Sequence, residues 1–198
     1  MVAVPFGTLD RRAVVARLLR DRAGWLVVTG LGSPSYDVHA AGDHDGNYYL
    51  WGAMGAAALV GLGLALAQPD RTVLVVTGDG EQLMGLGGLA TIGIAAPANL
   101  TIVVLDNGHY GETGMQRSHT GFGLDLAAIA GAAGFADAKS VRDDEGVADV
   151  ARALGQPATG PRLYAIKVRA DTLPRSLPPR DAVHGKNRLR AYLGLPVT

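Results

Sequence analysis

Three short runs, Trp25 to Thr29 (WLVVT), Val73 to Thr77 (VLVVT) and Leu100 to Leu105 (LTIVVL), constrain the fold of this chain more than any other feature. A strand with one wet face alternates apolar and polar residues with a period of two, and none of these runs does so. Each must therefore be covered on both faces, the condition met in a parallel sheet packed between helices. The intervals between the runs are long enough to hold the crossover helix that parallel neighbours need. Leu124 to Ala133 and Glu145 to Leu154 continue the helical series, and Leu163 to Val168 (LYAIKV) is a further strand. The expected fold class is α/β, a three-layer α/β/α arrangement of a mostly parallel sheet with helices on both faces.

The finer reading follows from spacing and turn residues. Thr8 is placed to cap a helix reaching about Asp21, because Leu9, Val14, Val15, Leu18 and Leu19 repeat at helical intervals. Residues 30–47 read as a loop rich in Gly, Ser and Asp. A buried helix follows Trp51, and one helix runs through Leu83 to Ile94. Residues 173–180 carry three prolines and read as an extended linker, and Asp181 to Leu193 as a last helix with Lys186, Arg188 and Arg190 on its wet side. The organisation expected is one domain over 1–172, then a Pro-rich linker and C-terminal helix over 173–198 that packs on the domain or on a partner.

Composition removes several functions. With 48% hydrophobic and 18% charged residues the chain lies far from the composition of disorder. Equal numbers of basic and acidic residues, 18 of each, leave no positive footprint for nucleic acid or an anionic membrane. Without cysteine there is no disulfide, thiolate nucleophile, Cys-ligated zinc or iron–sulfur cluster held by this chain alone. The longest apolar run, Ala53 to Ala67, has 15 residues and three glycines, short of the roughly 20 a membrane span requires. Met1 to Leu9 lacks the basic and apolar regions of a signal peptide, so a cytoplasmic location is expected.

In an open parallel sheet, ligands bind beyond the carboxyl ends of the strands. The second run ends in Gly78-Asp79-Gly80 and the third in Asp106-Asn107-Gly108. A carboxylate and an amide oxygen at adjacent strand ends can share a hard cation such as Mg²⁺, and flanking glycines let backbone N–H groups approach a diphosphate. Gly-Asp-Gly alone is equally a tight strand-to-helix turn.

Spacing adds to this. Between Gly80 and Asn107 lie 26 residues, and both ends follow apolar strands. This pattern resembles the thiamin diphosphate signature. Leu50-Trp51-Gly52-Ala53-Met54-Gly55 is similar to the aminopyrimidine-cradling segment of thiamin-dependent decarboxylases. Asp106 through Gly114 resembles the corresponding loop of the sulfopyruvate and phosphonopyruvate decarboxylases. The resemblance implies thiamin diphosphate and Mg²⁺ as cofactors, with Asp79, Asn107 and the backbone carbonyl of His109 as metal ligands. It further implies cofactor contacts from Gly78, Gly80 and Glu81 at the diphosphate, from Gly52, Ala53 and Met54 at the bent ring pair, and from Tyr110 and Gly111.

Complete enzymes of this kind carry a second domain that grips the pyrimidine and supplies a Glu. Every motif found here belongs to the diphosphate-gripping half. The resemblance therefore implies a beta-like subunit of a split enzyme, completed by a pyrimidine-side, alpha-like subunit in a hetero-oligomer such as α2β2 or larger. The implied reaction is non-oxidative decarboxylation of a small 2-oxo acid of the 3-substituted pyruvate type. The alternatives are a carboligating lyase like acetohydroxyacid synthase, a 2-oxo acid:ferredoxin oxidoreductase beta subunit, which the absence of cysteine weighs against, and a non-enzymatic Mg-phosphate-binding module.

Two positions depart from the family pattern. Within Gly32-Ser33-Pro34-Ser35-Tyr36-Asp37, Tyr36 stands where an Arg suited to an anionic substrate tail is expected, and a phenol cannot replace a guanidinium fork. Glu81 stands where small residues are frequent, and its carboxylate must face away from a diphosphate or reach a positive group. Candidate proton donors are His109, then His119, with His39 and His44 read as loop residues and His184 as structural.

Overall fold

The computed structural model describes residues 6–197; the reading of residues 1–9 as free of a leader lies in part outside them. The elements in chain order are α1 (Arg11–Leu19), β1 (Leu26–Thr29), α2 (Ser33–Ala40), β2 (Asn47–Tyr49), α3 (Ala57–Ala67), β3 (Val73–Gly78), α4 (Asp79–Met84), α5 (Gly88–Ala95), β4 (Leu100–Asp106), β5 (His109–Tyr110), β6 (Gln116–Arg117), α6 (Leu126–Ala132), β7 (Asp137–Val141), α7 (Asp144–Leu154), β8 (Arg162–Lys167) and α8 (Ala182–Tyr192). Six strands form one sheet in the order β2-β1-β3-β4-β8-β7, with every pair parallel, and β5 and β6 form a small antiparallel hairpin.

Alternation along each central strand feeds two cores. Leu74, Val76 and Val103 face a cluster with Val15 and Leu18 of α1 and Val150 of α7. Val73, Val75, Ile102 and Val104 face the other, with Leu62 of α3, Ile92 of α5 and Leu126 of α6. Each fully buried Leu or Ile contributes about 1.5–3 kcal/mol, so the continuous apolar runs account for both layers at once. The register Val73↔Leu100 through Gly78↔Leu105 brings the ends of β3 and β4 out side by side. That register places Asp79 beside Asp106.

Several sequence expectations are corrected. Asp10, not Thr8, caps α1, its carboxylate accepting from the Ala13 N–H. The segment read as a loop contains α2, which starts with a proline in its first turn, and the edge strand β2. Its Gly, Ser and Pro content resembles turn composition, which hid a helix start. The edge strand β7, with the polar sequence DAKSV, lacks an apolar run because only part of it is covered. The helix expected over Leu83 to Ile94 is two helices broken at 85–87, where a side chain at Gly85 would strike the Gly55 carbonyl. On α3 the apolar residues are only half covered: Ala58, Gly61, Leu62 and Ala65 are buried, whereas Leu59 and Leu66 are exposed. Arg188 is not on the wet side of α8, since it turns inward to Asp43, at 2.6 Å, and to the Asn47 carbonyl, at 3.1 Å.

Candidate active site

At the carboxyl edge β3 runs straight into α4, and β4 into the turn before β5. Asp79 is 2% exposed and Asp106 fully buried. The Thr120 hydroxyl lies between them, 3.0 Å from Asp79 Oδ2 and 2.7 Å from Asp106 Oδ1, and the Ser118 hydroxyl donates to the same Asp79 oxygen. Asp106 is further held by the Gly108 N–H at 3.1 Å and by the Lys167 ammonium, which in turn lies over the Phe6 ring. Burial, and then repulsion from Asp106, push the Asp79 carboxyl above its ordinary range, against the pull of the Ser118 and Thr120 hydroxyls. A carboxylate so desolvated is stabilised by a bound cation. Both hydroxyls bond Oδ2, so Oδ1 is the oxygen left for one.

Asn107 follows directly. Its Oδ1 accepts from the His109 N–H at 2.9 Å, and His109 Nδ1 lies 2.8 Å from the Asn107 carbonyl. A carbonyl only accepts, so Nδ1 carries the proton there and Nε2 remains for other partners. Glu81, which the sequence left unexplained, bonds the Thr77 hydroxyl through Oε2 and the Ala57 N–H through Oε1 at 3.4 Å. Ala57 opens α3, so the carboxylate meets the positive end of an 11-residue helix rather than a cationic side chain. Burial nevertheless pushes the Glu81 carboxyl above its ordinary value.

These groups line a cavity of about 350 Å³, within the range of small-molecule and cofactor sites. Of the residues singled out from sequence, Met54, Gly78, Asp79, Gly80, Glu81, Asn107, His109, Tyr110 and Gly111 line it. Met54 sits at its lip, 54% exposed. Gly80 lies under the Tyr110 ring, where a Cβ would come within 2.6 Å, so this close approach requires glycine. Gly52 and Ala53 lie outside the lining; the Gly52 carbonyl accepts from the Met54 N–H at 2.6 Å in a tight turn. His119, the second proton-donor candidate, is exposed and also outside it. His39 bonds Ser176 at 2.8 Å and His44 accepts from the Gly46 N–H at 2.9 Å, both away from the cavity. Among the described residues no three His, Cys, Asp or Glu side chains converge as a metal site.

The family described as Thiamine pyrophosphate enzyme, C-terminal TPP binding domain, matches residues 37–168, which include β2 through β8 and the whole strand-end cluster. The chain belongs to this family. Among the curated proteins, this thiamine pyrophosphate family member is 39% identical over 188 residues to a phosphonopyruvate decarboxylase of Streptomyces viridochromogenes, covering 92% of this chain and 45% of that protein. It is 45% identical over 105 residues to a sulfopyruvate decarboxylase subunit beta of Methanocaldococcus jannaschii, covering 53% and 55%. The chain spans about half the length of these curated relatives. The benzoylformate decarboxylase of Polynucleobacter necessarius superposes with a TM-score of 0.67 over 86% of this chain and 36% of that one; at 22% identity the likeness is one of fold.

Sequence reasoning missed Ser118, Thr120 and Lys167. Ser118 and Thr120 lie in a polar stretch with no periodicity, and Lys167 reads as the tail of a strand. The only signal available was the acidic residue Asp106 at the end of an otherwise apolar strand, which demands a buried partner. It also missed Arg11, which lines the cavity while bonding the fully buried Asp37 at 2.8 Å.

Proposed function

We propose that this chain holds thiamin diphosphate and Mg²⁺ and works as the beta-like subunit of a split enzyme that decarboxylates a small 2-oxo acid without oxidation. The observation that carries the reading is the buried, upward-shifted Asp79 beside Asn107 at adjacent strand ends, in a chain of this family. The residues present fit the group. Asp79 Oδ1, Asn107 Oδ1 and the His109 carbonyl are hard oxygen donors suited to Mg²⁺, and Gly78 and Gly80 present backbone without side chains to a diphosphate. When bound, thiamin diphosphate supplies a carbon nucleophile for the ketone and an electron sink as the carboxylate leaves as CO2.

The chain's own residues do the rest. Ser118 and Thr120 fix the Asp79 carboxylate from behind, so it need not reorganise when loaded. Met54 and Tyr110 supply apolar walls from which water is excluded once the open face of the cavity is covered. His109 holds a proton on Nδ1 against the Asn107 carbonyl, which leaves Nε2 able to take and return one at the cavity face.

The cavity is open along an apolar face. Met54, Leu59 and Met84 are 54%, 41% and 58% exposed. Met54 and Met84 line the cavity as well, so whatever covers this face closes the site. A pyrimidine-side, alpha-like subunit that brings the missing Glu fits that role in an α2β2 or larger hetero-oligomer, and the name of the M. jannaschii relative as a subunit beta supports it. A cytoplasmic setting belongs to the same reading. The described residues contain no helix long and apolar enough to cross a membrane.

The test is loading followed by turnover. Thiamin diphosphate with Mg²⁺ is expected to raise the melting temperature of the chain co-expressed with its partner, and Asp79→Asn to abolish the shift. CO2 release from 2-oxo acids is then measured on the loaded complex. No cofactor-dependent shift in the wild type would falsify the thiamin reading, and full turnover by this chain alone would remove the partner from it.

A further inference from the structure

We propose that Arg175, carried on the Pro-rich tail, is the residue that recognises a second acidic group on the substrate, a deepening that rests on the 2-oxo acid reading above. The tail does not hang free. Its backbone is tied down by Arg12, which donates to the Pro174 carbonyl at 2.7 Å, and by Trp51, whose indole N–H donates to the Pro179 carbonyl at 3.0 Å. Between them Ser176 bonds His39 at 2.8 Å and Pro178 is buried. With three of its residues proline, the strap at 174–180 is stiff, and Arg175 projects from a fixed point.

That point borders the cavity through Glu112. The Arg175 guanidinium bonds Glu112 Oε2 at 3.1 Å, and Glu112 lines the cavity. Its carbon lies 5.8 Å from the centre of the Tyr36 ring, within cation–π reach. Position 36 holds no charge of its own, and the cation lying over it comes from the tail.

The cavity walls carry the carboxylates of Asp79, Glu81 and Glu112. Arg11 also lines it, but Arg11 is 4% exposed and committed to the buried Asp37 at 2.8 Å. The Arg175 side chain is 61% exposed and its partner Glu112 is 37% exposed. An exposed pair of this kind is weak, because solvent screens it and ordering two side chains costs entropy. A sulfonate, phosphonate or second carboxylate offers the guanidinium fork a bidentate partner. Arg175 therefore exchanges Glu112 for the substrate with a swing of its side chain alone, the strap backbone staying in place.

The test compares 2-oxo acids that differ only in the second charge, on the complex with its partner subunit. Arg175→Ala is expected to raise KM for sulfopyruvate or phosphonopyruvate by roughly 10- to 100-fold, the range of a lost charge-assisted hydrogen bond. KM for pyruvate is expected to move by less than about twofold. Arg175→Lys should recover part of the loss, keeping the charge without the fork, and Glu112→Gln should lower KM for the doubly acidic substrates by freeing the guanidinium. Parallel changes for both substrate types, or none, overturn the assignment. Calorimetric binding of 3-sulfopropanoate, which has the sulfonate but no ketone to react, separates the two readings. Arg175-dependent binding without turnover of any 2-oxo acid overturns the decarboxylase and supports the recognition. Turnover with Arg175-independent binding does the reverse.

Discussion

The strand-end wall of the cavity and the wall that the tail makes beside it, outside its lining, differ in how their charges are held. At the strand ends Asp79, Asp106, Ser118, Thr120 and Lys167 are all buried and bond one another. Along the tail, Arg175 and Arg180 make exposed contacts with Glu112, Tyr36 and Trp51, and α8 buries none of its residues. Removing one member of the buried set leaves a charge or hydroxyl short of a partner in a low-dielectric place that water does not reach. Removing one from the tail hands its partner to water. The first wall suits an unvarying task such as holding a metal ion and a diphosphate; the second can be altered at little cost to folding, which suits discrimination among substrates.

The largest expected effect tests the buried wall. Lys167→Met leaves Asp106 as an unpaired buried carboxylate and is expected to destabilise the chain by about 3–5 kcal/mol in urea unfolding, whereas the double variant with Asp106→Leu should recover most of that. A small loss in the single variant would break the contrast between the walls. Thr120→Val removes the hydroxyl shared by Asp79 and Asp106 and should cost about 1–3 kcal/mol, with a weaker melting shift on adding Mg²⁺ and thiamin diphosphate.

Acid should act first on the tail side. Burial raises the Asp43 carboxyl, but hydrogen bonds from Arg188 and Tyr49 more than offset it and hold it below its ordinary 3.8. Its contribution is therefore complete above about 3.8 and lost as pH falls through the lower folded value. His44, stacked edge-on against Tyr192 of α8 at 5.2 Å, is lowered from 6.5 by burial and then by Arg22. The folded chain resists protonating it, so stability is lost as pH drops below 6.5. Hydrogen-exchange protection factors of α8 should fall between about pH 6.5 and 4 while those of β3 hold; a parallel fall would mean that tail and sheet unfold as one. The smallest effect on folding belongs to Ile94→Lys, expected within about 0.5 kcal/mol for the isolated chain because the side chain is 88% exposed. The same variant should abolish co-purification with the proposed partner subunit if that subunit also covers the outer side of α5.

Legibility followed the same division. The runs at 25–29, 73–77 and 100–105 announced a buried parallel sheet because both of their faces are covered, and their ends located Asp79 and Asn107. Edge strands β2 and β7 left no such mark, since β2 is three buried or half-buried residues of Asn and Tyr and β7 is only partly covered. Likewise α2 was hidden behind residues that serve turns and helix starts alike. Ser118, Thr120 and Lys167 were invisible because nothing local records that they end up beside residues tens of positions away.

The sequence by itself determined the layered α/β fold, the two strand-end motifs and their order, because burial on both faces and backbone freedom at glycine are local demands written into residue type. Tertiary structure alone decided which hydroxyls hold Asp79, how Glu81 meets the start of α3, and that the tail brings Arg175 to Glu112 and over Tyr36. Those contacts join residues up to 139 positions apart, and their partners are selected by how the layers pack.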